Sequence, residues 1–317
     1  MLNEGVHCRA QTRCAACDTE GRVIHDQRRD QLFEAPGTWS IRQCTSAACG
    51  LAWIDPMPEA GELGKFYASY YTHAAGEGAA AATASPGLVK SVLATIFPGR
   101  RLQFLSSLMH FGDMPPGRLL EVGCGSGHFL AQAAAAGWRV MGIDFDEAAI
   151  AAARAIPGAD AQVMDIHDPA LDDERFDGIA FNNVIEHLPD PARVFARCHA
   201  LLAPGGRVVM VTPNIDAQCH TAFGAHWRGL EVPRHIYLFS ARALRKFAMD
   251  AGFRKIQAFS PLNGNQIDLM ADASIEIAQK AGATPPHVNR RALKLRNAVT
   301  GLLGGTIGEW VVLTAER

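Results

Sequence analysis

Two groups of residues in this chain have types and spacings that can do chemistry. The run Glu121-Val-Gly-Cys-Gly-Ser-Gly127 sets three glycines at alternate positions behind an apolar pair, Leu119 and Leu120. Gly123, Gly125 and Gly127 let a buried strand turn sharply into a helix, with the backbone nearer a ligand than any Cβ would allow. A second apolar segment, 139–143, ends at Asp144. That is close to the ~20 residues expected before the acid that holds a ribose in a βαβ unit. The spacing is G-x-G-x-G, not G-x-G-x-x-G, and Glu121 stands just ahead of the first glycine, which points away from hydride-transfer cofactors and toward another nucleotide cofactor. The second group is Cys14-Ala-Ala-Cys17 with Cys44-Thr-Ser-Ala-Ala-Cys49. Two short cysteine hairpins some distance apart supply the four thiolates that a tetrahedral zinc ion takes. The second spacing is wider than C-x-x-C, and His7, Cys8 and His25 lie near enough in sequence to replace one ligand. The chain has eight cysteines, and its start carries no apolar leader, so paired spacing reads as metal in a reducing compartment in preference to disulfides. Cys124, Cys198 and Cys219 read as small apolar fillers.

The glycine run resembles motif I of the class I S-adenosylmethionine-dependent methyltransferases, and further matches follow in order. Asp144 corresponds to the acid ending the second strand and Asp165, in Val163-Met-Asp-Ile-His167, to the acid beside the adenine. The stretch from Phe176 to Asp190 resembles the fourth strand with the Glu-His pair, Glu186 and His187, of quinone and sugar methyltransferases. Leu202-Ala-Pro-Gly-Gly-Arg-Val-Val-Met-Val211 resembles the turn into the fifth. The resemblance runs over about 118–260. It implies S-adenosylmethionine as cofactor, with Glu121 orienting the loop, Gly123 to Gly127 against the methionine portion, Asp144 on the ribose hydroxyls and Asp165 at the adenine amine. It also places Cys124, Phe145, Ile166 and Asn183 along the cofactor. The segments 49–58 and 63–71 resemble the N-terminal module of bacterial methyltransferases that act on sugars, glycans or secondary metabolites. There Tyr70 and Tyr71 are candidates to close over a ligand, while Trp53, Phe66 and Tyr67 are expected to pack.

Methyl transfer from a sulfonium needs no acid, because the departing thioether is neutral; placing the acceptor in line supplies much of the acceleration. A hydroxyl acceptor does need a base within hydrogen-bond reach. His187 is the candidate, with Glu186 and His235 beside it in the catalytic set; the alternative is that the Glu-His pair orders the cofactor loop or caps the next helix. Trp227, Arg228 and Arg234, following Asn214, combine an aromatic plate with guanidinium forks, the equipment for a sugar ring and for a phosphate or carboxylate. The alternative has Arg234 bonded to backbone and His235 holding a loop.

The elements that must position these residues follow from periodicity. Apolar runs near 118–122, 138–143, 160–164, 177–182, 206–211 and 255–260 alternate with helical stretches, and a last strand spans 309–314. The expected fold is α/β: a doubly wound, Rossmann-like, seven-stranded sheet with the last strand antiparallel, a small N-terminal zinc ribbon and a helical lid insertion. The expected division is 1–73 zinc ribbon, 74–112 linker and leading helices, and 113–317 cofactor domain, with 261–305 the insertion. At 317 residues and 48% hydrophobic content the chain can bury a sizeable core. A net charge of −2 and a pI near 6.6 give no global pull toward nucleic acid. No apolar stretch reaches membrane-spanning length. The basic amphipathic segment around Arg290, Arg291, Lys294 and Arg296 leaves peripheral membrane contact open, and a homodimer is also left open. The expected location is the cytoplasm and the expected partner a small-molecule or glycan acceptor methylated on a hydroxyl. The alternatives are C-methylation of a nucleotide-linked keto sugar, an RNA methyltransferase gripping its substrate with the ribbon, and a cofactor-binding scaffold without turnover.

Overall fold

The computed structural model describes residues 1–67, 107–262 and 264–317. Tyr70, Tyr71, the linker and most of the leading helical stretch expected before the sheet lie outside the described residues.

Six short strands come first: β1 (Leu2–Asn3), β2 (Val6–Arg9), β3 (Gly21–Arg28), β4 (Trp39–Cys44), β5 (Ala52–Asp55) and β6 (Met57–Pro58). β1, β2 and β6 form one small antiparallel sheet, and β3, β4 and β5 pair antiparallel in another. In β4, Trp39 and Ile41 share a face that meets the core, while Cys44, at the opposite parity, is buried in the four-cysteine cluster.

The alternating segments that follow are β7 (Arg118–Val122), α1 (His128–Ala135), β8 (Arg139–Asp144), α2 (Glu147–Ala153), β9 (Ala159–Val163), β10 (Phe176–Asn182), α3 (Pro191–Leu201) and β11 (Leu202–Pro213). Then come α4 (Gln218–Phe223), β12 (Tyr237–Leu238), α5 (Ala241–Asp250), β13 (Arg254–Phe259), α6 (Asn265–Lys280), α7 (Arg290–Leu302) and β14 (Trp310–Glu316). Seven of these strands form one sheet in the order β13-β14-β11-β10-β7-β8-β9. The five strands from β7 to β11 run parallel, while β14 is antiparallel to both its neighbours, as the sequence predicts. Central strands covered on both faces read as apolar runs and not as alternation; Gly178, Ile179, Ala180 and Phe181 of β10 are all buried. Side-chain caps start the helices sharply: Asp146 accepts from Ala148 and Ala149 ahead of α2, and Ser240 accepts from Ala243 ahead of α5.

The two halves of the chain are joined by backbone pairing. β12 adds to the edge of β5, with Tyr237 opposite Trp53 and Leu238 opposite Ala52. Ser240 also donates to the carbonyl of Cys49 at 2.5 Å. One apolar core runs through both parts, from Trp39, Ile41 and Trp53 to Phe239 and Leu244. The expected insertion is two helices, α6 and α7, tied by Lys294 to Asp268 and Arg290 to Asp272, both at 2.5 Å. It is fastened to α4 and the segment after it by Gln218 donating to the Leu293 carbonyl and by the Arg228 N–H donating to Ser274. Among the described residues, no helix is long and apolar enough to cross a membrane.

Candidate active site and metal centre

The glycine loop leaves β7 at Glu121 and enters α1 after Gly127. All three glycines have positive φ, 70°, 51° and 83° in order. A Cβ on Gly123 would lie 2.4 Å from Val184 Cγ2, whereas one on Gly125 would meet nothing within 4 Å. The loop thus packs on one side and leaves an open cradle on the other. Asp144, at the end of β8, accepts from the Gly125 N–H at 2.9 Å and from the Asp146 N–H at 3.1 Å, which fixes loop and acid relative to each other. Glu121 is buried with one carboxylate oxygen lacking a partner, and burial together with the Asp144 charge pushes its carboxyl well above the usual range. An orphaned buried carboxyl beside an open glycine cradle fits a cofactor carrying a cationic amino acid portion, so these residues suit S-adenosylmethionine. Cys124 packs its sulfur toward Gly142, and burial raises its thiol to about 12.

The other residues expected along the cofactor are spread over the same strand ends. Asp165 is exposed and accepts from the His167 N–H at 2.7 Å, and Ile166 is buried beside it with its carbonyl taken by Arg197. Phe145 is 66% exposed, with Tyr67 set edge-on at 5.5 Å. Asn183 follows β10 in a left-handed conformation, and its side-chain oxygen accepts from the Trp310 indole at 2.7 Å. Trp310 has no place in the sequence reading, because nothing local links it to a residue 127 positions away.

A second cluster forms around the short turn Ile185–His187. Glu186 is fully buried with neither oxygen in a well-formed hydrogen bond, and burial pushes its carboxyl up to about 8. His187 Nδ1 lies 3.0 Å from the Arg234 carbonyl and 3.0 Å from the Tyr67 hydroxyl. A carbonyl only accepts, so Nδ1 carries the proton and Nε2 keeps its lone pair. Burial holds the His187 imidazole below its ordinary value. His235 packs its ring against His187 at 4.8 Å; burial brings it down to about 3, and its Nε2 is 3.4 Å from Glu231 and 4.0 Å from Glu186.

The residues expected at a sugar or phosphate are largely occupied internally. Trp227 is 1% exposed and donates to Glu309 at 3.3 Å. Arg234 is 2% exposed; it donates to Asp30 at 2.9 Å, to the Phe66 carbonyl and to Glu231, and its guanidinium lies over the Phe33 ring. Arg228 is partly exposed and paired to Glu231. Asn214 is fully buried, donating to the carbonyls of Thr306 and Gly308. Thus Glu231 and Asp30, which the sequence reading passed over, hold this segment together; Glu231 keeps its charge, well below the carboxylate range, against burial because Arg228, His235 and Arg234 surround it.

At the other end, the four sulfurs of Cys14, Cys17, Cys44 and Cys49 lie within 4.8 Å of one another. Cys14 and Cys49 are 3.7 Å apart and Cys17 and Cys44 3.4 Å. Tetrahedral zinc with bonds of about 2.3 Å requires sulfurs about 3.8 Å apart, so the set fits such an ion. Cys14 Sγ and Cys49 Sγ share a close contact that holds Cys49 below the ordinary thiol value and Cys14 above it. Thr45, Ser46, Ala47 and Ala48 form the turn between the last two ligands, the wider spacing noted in the sequence.

Comparison with known proteins agrees with this geometry. A family model described as a methyltransferase domain matches residues 97–258, about half the chain. The ubiquinone biosynthesis O-methyltransferase of Aromatoleum aromaticum is 31% identical over 173 residues, 48% of this chain and 74% of that one. Its namesake in Coxiella burnetii is 32% identical over 172 residues, 50% and 73% of the two chains. Among solved structures, phosphoethanolamine N-methyltransferase 2 of Haemonchus contortus, in complex with S-adenosyl-L-methionine, is 20% identical with a TM-score of 0.43. The match covers 74% of this chain but 53% of that enzyme, about half its length. With the seven-stranded sheet, the glycine cradle and a family match over half its length, the chain belongs to the class I S-adenosylmethionine-dependent methyltransferases.

Proposed function

We propose that this enzyme transfers the methyl group of S-adenosylmethionine to a hydroxyl of a small acceptor, a sugar, glycan precursor or secondary metabolite, with His187 as the base. The observation that carries the reading is the hydrogen bond from His187 Nδ1 to the Arg234 carbonyl. It sets the tautomer, aims the Nε2 lone pair, and couples the base to a residue locked in place by Asp30 and Glu231. The bound cosubstrate supplies a methyl group on a sulfonium with a neutral leaving group. The protein's share is placement: Asp144 and the Gly123 to Gly127 loop seat the nucleoside and methionine portions, and Glu121 answers the amino group. Asp165 faces the adenine, and Phe145 with Tyr67 covers the strand ends. As the new O–C bond forms, the hydroxyl proton passes to His187 Nε2. Cys14, Cys17, Cys44 and Cys49 hold a structural zinc ion that stiffens the sheet carrying β5, on which β12 and then Arg234 depend.

The test is kinetic and spectroscopic. With a 13C-methyl donor, the product of the cell's own acceptor should show an oxygen-linked methyl by NMR. His187→Gln should lower kcat by about 10²–10⁴ while leaving cosubstrate affinity within twofold. A carbon-linked methyl would move the assignment to keto-sugar chemistry, and an unchanged kcat would remove His187 as base.

A further inference from the structure

Four arginines, Arg28, Arg29, Arg228 and Arg234, line one shallow cleft between the end of β3 and the segment after α4. Three already have carboxylates. Arg29 is paired with Glu4, Arg228 with Glu231, and Arg234 with Asp30 and Glu231. The two acids of the cleft, Asp30 and Glu231, are thereby neutralised by side chains other than Arg28. The Arg28 side chain is half-buried and makes no hydrogen bond or ion pair among the described residues. Removing a cation from water without an anion to answer it is unfavourable, and burial lowers the Arg28 guanidinium accordingly. Besides those two paired acids the lining of the cleft holds no carboxylate. Two histidines feel its field: His25, 2.8 Å from His220, is held down to about 4 by burial, then by His220 and Arg28, and His226 is lowered by burial and Arg28. The Nδ1 atom of His226 is itself buried without a partner.

A planar fork with its donors unused, in a cleft whose other charges are satisfied, is a receptor for a tetrahedral oxyanion. The cleft is also tied to the proposed base, because the Arg234 side chain lines it while the Arg234 carbonyl accepts from His187. We infer that Arg28 binds a phosphoryl or diphosphoryl group of the methyl acceptor, so that the acceptor is a phosphorylated small molecule anchored at one end by the N-terminal sheet. This rests on the small-acceptor reading above for the identity of the ligand, though not for the existence of the anion site.

The experiment is calorimetric titration of the full-length protein with sodium pyrophosphate, paired with inhibition kinetics. Wild type should bind saturably at one site. Arg28→Gln should weaken that binding about ten- to a hundredfold, while Arg22→Gln, an exposed arginine of the same strand, should leave it unchanged. Pyrophosphate should inhibit methyl transfer competitively against the acceptor and not against S-adenosylmethionine. Absence of saturable binding, or equal binding by Arg28→Gln, overturns the site. Inhibition that is not competitive with the acceptor overturns the acceptor assignment, as does a single-stranded RNA oligonucleotide that binds through Arg28 more tightly than pyrophosphate. Binding through Arg28 in a protein that methylates no hydroxyl would sink the proposed reaction and leave the anion site standing, so the two failures are distinguishable.

Discussion

Gly123 and Gly125 share a loop and a positive φ, yet a methyl group added to each meets different surroundings. Alanine at 123 collides with Val184 in addition to the ~1–2 kcal/mol of a left-handed non-glycine residue, so Gly123→Ala should lower Tm measurably. Alanine at 125 enters open space, so Gly125→Ala should fold with a small loss of stability and bind S-adenosylmethionine at least about tenfold more weakly. Thermal melts and calorimetry separate the two effects; equal cofactor affinity in Gly125→Ala would mean that the cradle is not where the cofactor passes. Glu186 gives a pH prediction. Its carboxyl is raised from the usual range to about 8 in the fold, so between the two values the unfolded chain is ionised while the folded one keeps its proton. Stability from this group is therefore full at low pH and is lost as pH rises toward 8. Glu186→Gln should remove that slope, gaining stability relative to wild type at pH 8 compared with pH 5 in denaturant titrations. His235, lowered to about 3, acts in the opposite window, losing stability as pH falls from the ordinary histidine value toward 3. The glycine loop and the cysteine pairs were legible because their spacing is local. Glu231, Asp30 and Tyr67 were not, since Asp30 meets Arg234 from 204 positions away and Tyr67 meets His187 from 120.

At the scale of elements, the parallel strands β7, β8, β10 and β11 were readable because each carries a short apolar run bounded by glycine, proline or charge, while β9, Ala-Asp-Ala-Gln-Val, buries one residue at the sheet edge. β12 was not, being two residues long and defined only by the edge of β5 that it covers. The same is true of β1 and β6, which have no periodicity of their own to display. The four-cysteine cluster spans the loops flanking β3 and β4, so its metal should set the stability of the whole N-terminal sheet. Purified protein should carry one zinc ion per chain by elemental analysis. Cys44→Ser should lose it and lower Tm by about 10 °C, a loss of several kcal/mol spread over a chain of this size. Retention of stoichiometric metal and an unchanged Tm in Cys44→Ser would show that these thiols are packing alone.

Over the whole molecule, the sequence suggested a ribbon, a linker and a catalytic unit in series, and it carries no sign that the ribbon's sheet takes a strand from beyond residue 230. The shared core and the β5–β12 pairing make the N-terminal sheet part of the wall behind Arg234 and His187. Near-neutral charge, a half-buried histidine as the proposed base and a cleft with one uncommitted arginine are what the proposal of a compact, polar acceptor rests on. The measurement that tests this most directly is transfer of label from methyl-labelled S-adenosylmethionine into a fractionated extract of the producing cell. The account predicts label in small polar metabolites or carbohydrate, resistant to nuclease and abolished in His187→Gln. Label that nuclease releases would make a nucleic acid the acceptor and contradict it.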